Sequence, residues 1–440
     1  MLNPPDYEYF LNNSRVKVLI AHAELWKSIE HLQNRFIYLR HVVLIDNHDI
    51  SAFHVEEGKT LTSFRSLLEH ATDRLETAAT CADDAAFWLF SSGSTGNPKG
   101  VIHLQHDMEY ALNSYARNVL KMTEEDIAFS ASKLFFAYGL GNGMYFPLGL
   151  GASTVLMPDR VLPEKVFETI ETYKPTIFFG VPTLYASMID FAQRSGRQYD
   201  LSSLRVCVSA GEALSGSIMR KWKQLYEVDI LDGIGSTEAL HIFISNTIGG
   251  VKEGSSGKVV PGYEAKIVNE HGLELSANEI GDLIIKGDSI THGYWNMHQE
   301  NKRKFYGEWF HTGDKYYVDE DGYFWYCGRS DDMIKVGGIW VSPIEIENSL
   351  LKHDAVLETA VIGITNENDL VYPKAYIVLK QGVAPSESLE EELKQFVKQD
   401  LAPYKYPRII EFIDELPKTV TGKIQRFKLR ERASGVQIGV

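Results

Sequence analysis

Cysteine is scarce. Cys81, Cys207 and Cys327 are the only three in 440 residues, far apart and outside any C-x-x-C spacing, so a disulfide framework or a thiolate metal site has little support. Long apolar runs are also missing: no stretch approaches the roughly 18 residues that could span a bilayer. The start, Met1-Leu2-Asn3-Pro4-Pro5-Asp6, lacks the basic stretch followed by an apolar one that marks a secretory leader. These absences predict a cytoplasmic protein. Positive charge is in deficit, with 44 Lys and Arg against 59 Asp and Glu and a net charge of −15. That argues against nucleic acid and against an anionic membrane as partners, since either would repel such a surface. Repeats and low-complexity tracts are absent too.

What is present is the composition of a soluble globular protein, 44% hydrophobic and 23% charged. The length exceeds what one core organises, which predicts at least two domains. Val16-Lys17-Val18-Leu19-Ile20, Val42-Val43-Leu44-Ile45, Phe87-Trp88-Leu89-Phe90, Ser153-Thr154-Val155-Leu156 and Thr176-Ile177-Phe178-Phe179 read as buried strands separated by helix-length segments, the α/β pattern. From about residue 265 the strands shorten and turn signals multiply. Tyr316-Tyr317-Val318 and Tyr323-Phe324-Trp325-Tyr326 are expected to form a hairpin through Asp321-Gly322. Beyond Gly328-Arg329 a small unit is expected to run helix (343–351), strand (356–363), strand (374–379), helix (388–399) and strand (409–413). The expected division is residues 1–328, β-rich over about 265–328, followed by an α+β domain over 329–440.

Several strings carry chemistry. Ser91-Ser92-Gly93-Ser94-Thr95-Gly96-Asn97-Pro98-Lys99-Gly100 follows a strand. Its glycines free the backbone to approach a ligand, its hydroxyls donate, and Lys99 adds charge, a combination suited to a polyphosphate. It is not a Walker A loop, and by composition alone a mobile connection is the competing reading. Asp232-Gly233-Ile234-Gly235-Ser236-Thr237-Glu238 sets a hydroxyl beside a carboxylate, which can hold Mg²⁺ through Glu238 while Thr237 meets a phosphate oxygen. In Trp309-Phe310-His311-Thr312-Gly313-Asp314, Asp314 can accept both ribose hydroxyls. Gly328-Arg329-Ser330-Asp331-Asp332-Met333-Ile334-Lys335-Val336-Gly337-Gly338 packs charge and paired glycines at the expected boundary. Singly, each could be an ordinary capped turn. Near the C-terminus, Pro417-Lys418-Thr419-Val420-Thr421-Gly422-Lys423-Ile424-Gln425-Arg426 presents a cation on a turn beside a basic helix; a solvated basic tail is the alternative.

Taken in order, these strings resemble the signature of the adenylate-forming superfamily of acyl-CoA synthetases, adenylation domains and luciferases. The resemblance covers essentially the whole chain. Lys133-Leu134-Phe135-Phe136-Ala137-Tyr138-Gly139-Leu140-Gly141-Asn142, Gly180-Val181-Pro182-Thr183-Leu184-Tyr185, Ser209-Ala210-Gly211-Glu212-Ala213-Leu214 and Asp232 through Glu238-Ala239-Leu240-His241-Ile242-Phe243 are more narrowly similar to the benzoate-CoA ligase group. Ile234 departs from the aromatic residue most of the superfamily places against adenine, and the benzoate-type ligases share that departure.

The resemblance implies a two-step reaction: a carboxylate attacks the α-phosphorus of Mg-ATP to give acyl-adenylate and pyrophosphate, and the thiol of coenzyme A then displaces AMP. It implies roles for named residues. Lys423 neutralises charge in the first step, residues 91–99 hold the β- and γ-phosphates, and Thr237 and Glu238 position phosphate and metal. Asp314 and Arg329 bind ribose, and Gly211, Glu212, Ala213 and Asp232 through Ile234 form the adenine slot. A hinge at Asp331 makes the C-terminal domain mobile, bringing Lys335 to Gly338 in place of Lys423 for the second step; a simple turn cap is the other reading of Asp331. Phe136, Ala137, Tyr138, Gly235, His241 and Ile242 line the pocket for a flat aromatic acid, while His241 has a competing reading as a core histidine.

The resemblance begins about a hundred residues into the length of the benzoate-type ligases, close to a small domain's worth. It therefore implies that part of the first subdomain lies outside this chain, leaving a strand edge and apolar helix faces exposed. Three explanations stay open: an internal methionine of a longer reading frame, a separate chain supplying the missing segment, or an impaired remnant that binds nucleotide without turnover. A homodimer stays open as well, as does loading of the aryl-adenylate onto a carrier protein rather than coenzyme A.

Overall fold

Continuous apolar strands between amphipathic helices need both faces of a sheet covered, and parallel sheets supply that arrangement. The computed structural model describes residues 4–45, 50–91, 98–336, 339–365, 371–402, 404–418 and 424–433. The chain forms two compact units, Met1–Cys81 and Ala82–Val440.

In the first unit, strands Val18–Ala21, His41–Leu44 and Thr60–Ser63 run parallel in that order. Parallel neighbours need a crossover, and helix Ala23–Ile29 makes the first one, burying Trp26 and Ile29 with Val42 and Leu44. Val18 and Ile20, on the edge strand, are 48% and 59% exposed.

The second unit holds a seven-stranded sheet in the order Lys258–Val259, Ile242–Ser245, Ile230–Gly235, Val206–Ser209, Ile177–Gly180, Ile127–Ser130, Ser153–Val155. The last five are parallel. Helices Pro163–Tyr173, Pro182–Ser195 and Gly216–Tyr226 connect them. Alternate side chains feed two cores, as the period of two requires. Phe129, Phe178, Cys207 and Ile230 pack with Tyr185 and Trp222 on one face; Ala128, Phe179, Val208 and Leu231 pack with Tyr115 and Phe146 on the other. The order in which strands are added reverses between Ile127–Ser130 and Ile177–Gly180, a switch point of the kind that opens a ligand crevice at the carboxyl ends of strands.

An antiparallel sheet follows, built from Glu264–Val268, Gly281–Lys286, Phe305–Tyr306, Trp309–Val318 and Phe324–Arg329. The expected hairpin is present. Its turn is fixed by Asp319, whose Oδ1 accepts the N–H groups of Asp321 at 3.0 Å and Tyr323 at 2.9 Å. The C-terminal part carries helix Pro343–Leu350, capped by Ser342 Oγ, then Val356–Thr365, Val371–Leu379, helix Glu387–Asp400, Ile409–Phe412 and helix Arg426–Ala433. It has its own core around Ile346, Val361, Ile377 and Leu393. The fold is α/β with a large N-terminal part and a small C-terminal domain.

Uniform burial is not found in every strand. Phe87–Phe90 lies in Ala85–Ser91, which pairs antiparallel with Lys99–Leu104 outside the parallel sheet and is at most half-buried. Of the Ser/Gly string, Ser91 ends this strand and Lys99 and Gly100 begin its partner. Val18–Ala21 and Ser153–Val155 are edge strands and keep part of their surface in solvent.

Candidate active site

Three of the parallel strands end on one cavity of about 840 Å³ in the second unit. Pro182 and Thr183 follow Ile177–Gly180, Gly211 through Ala213 follow Val206–Ser209, and Gly233 through Glu238 close Ile230–Gly235. The antiparallel sheet adds Thr312 through Asp314 and Arg329, and the C-terminal domain adds Glu347, Glu358 and Ile424 through Arg430. All five chemistry-bearing strings, far apart in sequence, thus contribute residues to one space.

The antiparallel register places Asp314 opposite Arg329, and Arg329 Nη1 donates to Asp314 Oδ1 at 3.0 Å. Asp314 raises the guanidinium above its ordinary range. Glu238 is held at both ends: its carbonyl accepts from Thr291 N at 2.7 Å, and its Oε1 accepts from Tyr294 OH at 2.8 Å. Burial and the neighbouring Glu238 raise the Tyr294 phenol, which keeps its proton on that hydrogen bond. Lys99 Nζ pairs with Glu300 and lies 5.0 Å from the centre of the Tyr294 ring. Lys99 in turn lowers the Glu300 carboxyl. Beneath Thr237 sits a buried pair. His103 Nδ1 meets Asp107 Oδ2 at 2.7 Å, and His103 Nε2 donates to the Thr237 carbonyl at 2.8 Å. The local structure around Thr237 and Glu238 is therefore anchored from three directions.

From the C-terminal side, Ile424 N donates to Glu212 Oε1 at 2.9 Å. Behind it Arg426 Nη2 makes a bidentate pair with Glu347 at 2.7 and 2.8 Å, and Arg430 Nη1 meets Asp332 at 2.7 Å. Burial pushes the Glu347 carboxyl up even with Arg426 against it.

Ser91, Lys99, Gly211, Glu212, Ala213, Gly233, Ile234, Gly235, Thr237, Glu238, Asp314, Arg329 and Asp331 all line the cavity. Ser92, Gly93, Ser94, Thr95, Gly96, Gly337, Gly338 and Lys423 lie outside the described residues. Lys335 is exposed on strand Ile334–Val336 and does not line the cavity. Asp232 is buried beneath the wall with Oδ1 unpartnered, and burial raises its carboxyl well above the usual range.

Phe136, Ala137, Tyr138, His241 and Ile242 do not line this cavity; His241 and Ile242 lie directly against Gly235, and the Tyr138 ring lies against His241. A Cβ at Gly235 would come within 2.6 Å of the His241 carbonyl, so this wall admits only glycine. The rings of Tyr138, Phe146 and Tyr115 surround His241 at 5.6, 4.5 and 5.2 Å. His241 Nε2 meets Asn142 Oδ1 at 3.0 Å, and burial lowers the imidazole to about 3, leaving it neutral.

Sequence reasoning overlooked Tyr294, Glu300, Lys304, His103 and Asp107. Gly293-Tyr294-Trp295 was available as a glycine–aromatic signal, since Trp295 N donates to the Gly100 carbonyl beside Lys99. His103 ends up against Asp107 across the turn from strand Lys99–Leu104 into helix Asp107–Ala111, so helical periodicity gives no signal for the pair. Glu300 reaches Lys99 across 201 residues and leaves no local trace.

A nucleotide with Mg²⁺ fits these donors. Pockets for such ligands run from about 300 to 1,000 Å³. No cluster of three or more metal-ligating side chains exists among the described residues, but Mg²⁺ shared with phosphates is held through one or two carboxylates, and Glu238 supplies one.

A family model for AMP-binding enzymes matches residues 1–295, and one for the AMP-binding enzyme C-terminal domain matches 345–423. The benzoate–CoA ligase of Thauera aromatica is 49% identical over 431 residues, covering 98% of this chain and 79% of that protein. Among solved structures, an anthranilate CoA ligase in complex with anthranoyl-AMP superposes with TM-score 0.93 at 45% identity, covering 99% of this chain and 81% of that one. A benzoate CoA ligase from Burkholderia xenovorans gives TM-score 0.87 at 43% identity, covering 98% and 83%. The chain belongs to the AMP-binding enzymes, the adenylate-forming family.

Proposed function

We propose that the chain is an ATP-dependent ligase that adenylates benzoate or a substituted benzoate and passes the acyl group to coenzyme A, releasing AMP and pyrophosphate. The observation that carries this reading is the meeting of the Glu238, Asp314–Arg329 and Ile424 segments on one cavity at the carboxyl ends of the parallel strands. The named activities of the relatives support the same reading for this chain.

In this reading Asp314 accepts the ribose hydroxyls, with Arg329 holding it in place. Gly211, Glu212, Ala213, Gly233 and Ile234 flank adenine, above the buried Asp232. Residues 91–99 take the β- and γ-phosphates. Thr237 meets a phosphate oxygen, and Glu238 is the one side chain assigned to Mg²⁺, which when bound offsets phosphate charge. Lys423, next in sequence to Ile424, is assigned the task of neutralising the carboxylate–phosphate encounter. The carboxylate is already ionised at neutral pH, so the first step needs no general base. Phe136, Ala137, Tyr138, Gly235, His241 and Ile242 hold the ring of the acid. A neutral His241 among aromatic rings suits an uncharged arene, because no ionic group is left buried and unpaired.

For the second step, we assign the hinge to Asp331, which lies at the join between the antiparallel sheet and the 329–440 domain. Turning there removes Lys423 and brings Lys335, Gly337 and Gly338 to the thiol's approach. The expected compartment is the cytoplasm, where ATP and coenzyme A are both supplied.

The test is ATP–pyrophosphate exchange with benzoate, acetate and palmitate, then thioester formation on adding free coenzyme A. Benzoate should support exchange far better than the other two. Comparable rates with acetate would reject the aromatic pocket, and adenylate without thioester would move the acceptor to a carrier protein.

A further inference from the structure

The cations that line the cavity differ in what they face. Lys99 is paired with Glu300, Arg329 with Asp314, Arg426 with Glu347 and Arg430 with Asp332, while Arg303 lines the cavity with its side chain exposed to solvent, where an unpaired charge costs little. Lys304, at the end of helix His298–Lys304, is half-buried, and the contact recorded for its Nζ is the carbonyl of His311 at 3.2 Å. No carboxylate pairs with it among the described residues. A side chain at Gly313 would start 3.0 Å from Lys304 Nζ and 3.2 Å from Arg329 Nη2, so the two cations converge over a glycine that leaves the space between them open.

The lysine also sits in a crowded field. Burial, then the charges of Arg329 and Lys99, lower its ammonium below the usual lysine range, while Glu238 and Glu300 act in the opposite sense. Its electrostatic neighbours are thus the ribose-side arginine, the lysine that ends the phosphate string and the metal-side carboxylate. A half-buried cation with no carboxylate in direct contact costs free energy unless a ligand supplies one.

We propose that Lys304 is a further ligand-binding residue of this site, contacting the pyrophosphate portion of ATP and the pyrophosphate released from it, between Arg329 and Lys99. This rests on the ligase reading above. Its chemistry is that of a charge-assisted N–H···O contact to a phosphate oxygen. The lysine touches the leaving group, so its effect falls on pyrophosphate and ATP, and the acid and the thiol are spared.

The experiment uses the full chain, as wild type, Lys304→Gln and Lys304→Arg, and reads two quantities. Binding of inorganic pyrophosphate with Mg²⁺ is measured by calorimetry, and thioester formation from chemically supplied benzoyl-adenylate is measured without ATP. The expected result is a loss of pyrophosphate affinity of about tenfold in Lys304→Gln, the scale of one hydrogen bond to a charged group, with recovery to within about threefold in Lys304→Arg, which keeps the charge. Thioester formation from the adenylate should be unchanged. Equal pyrophosphate affinity in wild type and Lys304→Gln, no binding to the wild type, or parallel loss of both quantities would each overturn the assignment. Intact pyrophosphate binding with no exchange for any acid would overturn the ligase reading and leave the Lys304 contact standing.

Discussion

Ile424 N donates to Glu212 Oε1 at 2.9 Å, joining two residues 212 positions apart. The contact seats the residue after Lys423 against the loop that follows Val206–Ser209. Under the proposed ligase reading, Glu212 is expected to act as a positioning residue for the first step. Glu212→Ala should slow ATP–pyrophosphate exchange about tenfold or more, the scale of a lost hydrogen bond to a charged acceptor, and affect thioester formation from supplied adenylate much less. Glu212→Gln retains an acceptor oxygen and should stay close to wild type. Equal loss in both half-reactions would remove the positioning role.

Tyr294 is expected to tune the metal side. Tyr294→Phe deletes only the hydroxyl that donates to Glu238 Oε1. Partners that orient a metal-binding carboxylate are worth about tenfold or more in metal affinity. The Mg²⁺ concentration for half-maximal exchange should rise by about that factor, with the KM for benzoate unchanged. An unaltered Mg²⁺ dependence would detach Glu238 from the metal.

His241 gives a pH signature. Its imidazole titrates near 6.5 when unfolded and is lowered to about 3 by burial in the fold. Below about pH 6.5 the unfolded chain therefore binds a proton that the folded chain does not. Stability from this residue is complete above that pH and is lost as pH falls toward 3, by about 1.4 kcal/mol per pH unit at most. Comparing melting temperatures of wild type and His241→Gln from pH 7 to pH 4 checks this: the wild type should lose more. Parallel curves would mean His241 is protonated in the fold.

How much of this could be read from residues alone differs by interaction range. The C-terminal helix and strand order, the Asp321-Gly322 hairpin and the parallel strands at Val42 and Ile177 follow from periodicity and turn chemistry, which are local. The convergence of Glu238, Asp314 and Arg329 was legible only through resemblance, because register between Trp309–Val318 and Phe324–Arg329 is what sets Asp314 opposite Arg329. Glu300 and Lys304 were not legible, and Tyr294 left only the glycine–aromatic signal of Gly293-Tyr294-Trp295. Their roles come from packing a short helix and a loop against a β-ribbon about two hundred residues earlier, at the long end of chain separation. The Phe87–Phe90 strand looked like its buried neighbours because aromatic and apolar composition does not distinguish a ribbon from a central strand.

The buried Arg426–Glu347 pair in the cavity wall makes a stability prediction. Arg426→Met leaves Glu347, 6% exposed, without its bidentate partner, a loss of about 3–5 kcal/mol for a buried ion pair broken on one side. The double variant Arg426→Met, Glu347→Leu should recover most of that loss in chemical denaturation, since no orphaned charge remains. A double variant as unstable as the single one would show that packing, and not charge, is what Arg426 contributes.

The most direct measurement follows an oxygen atom. Benzoate labelled with ¹⁸O in its carboxylate is incubated with the full chain, ATP, Mg²⁺ and coenzyme A, and the products are weighed by mass spectrometry. If the carboxylate attacks the α-phosphorus and the thiol then attacks the acyl carbon, one ¹⁸O must appear in AMP and none in pyrophosphate. Label in a phosphate product other than AMP, or AMP without label alongside thioester, would contradict adenylation as the route.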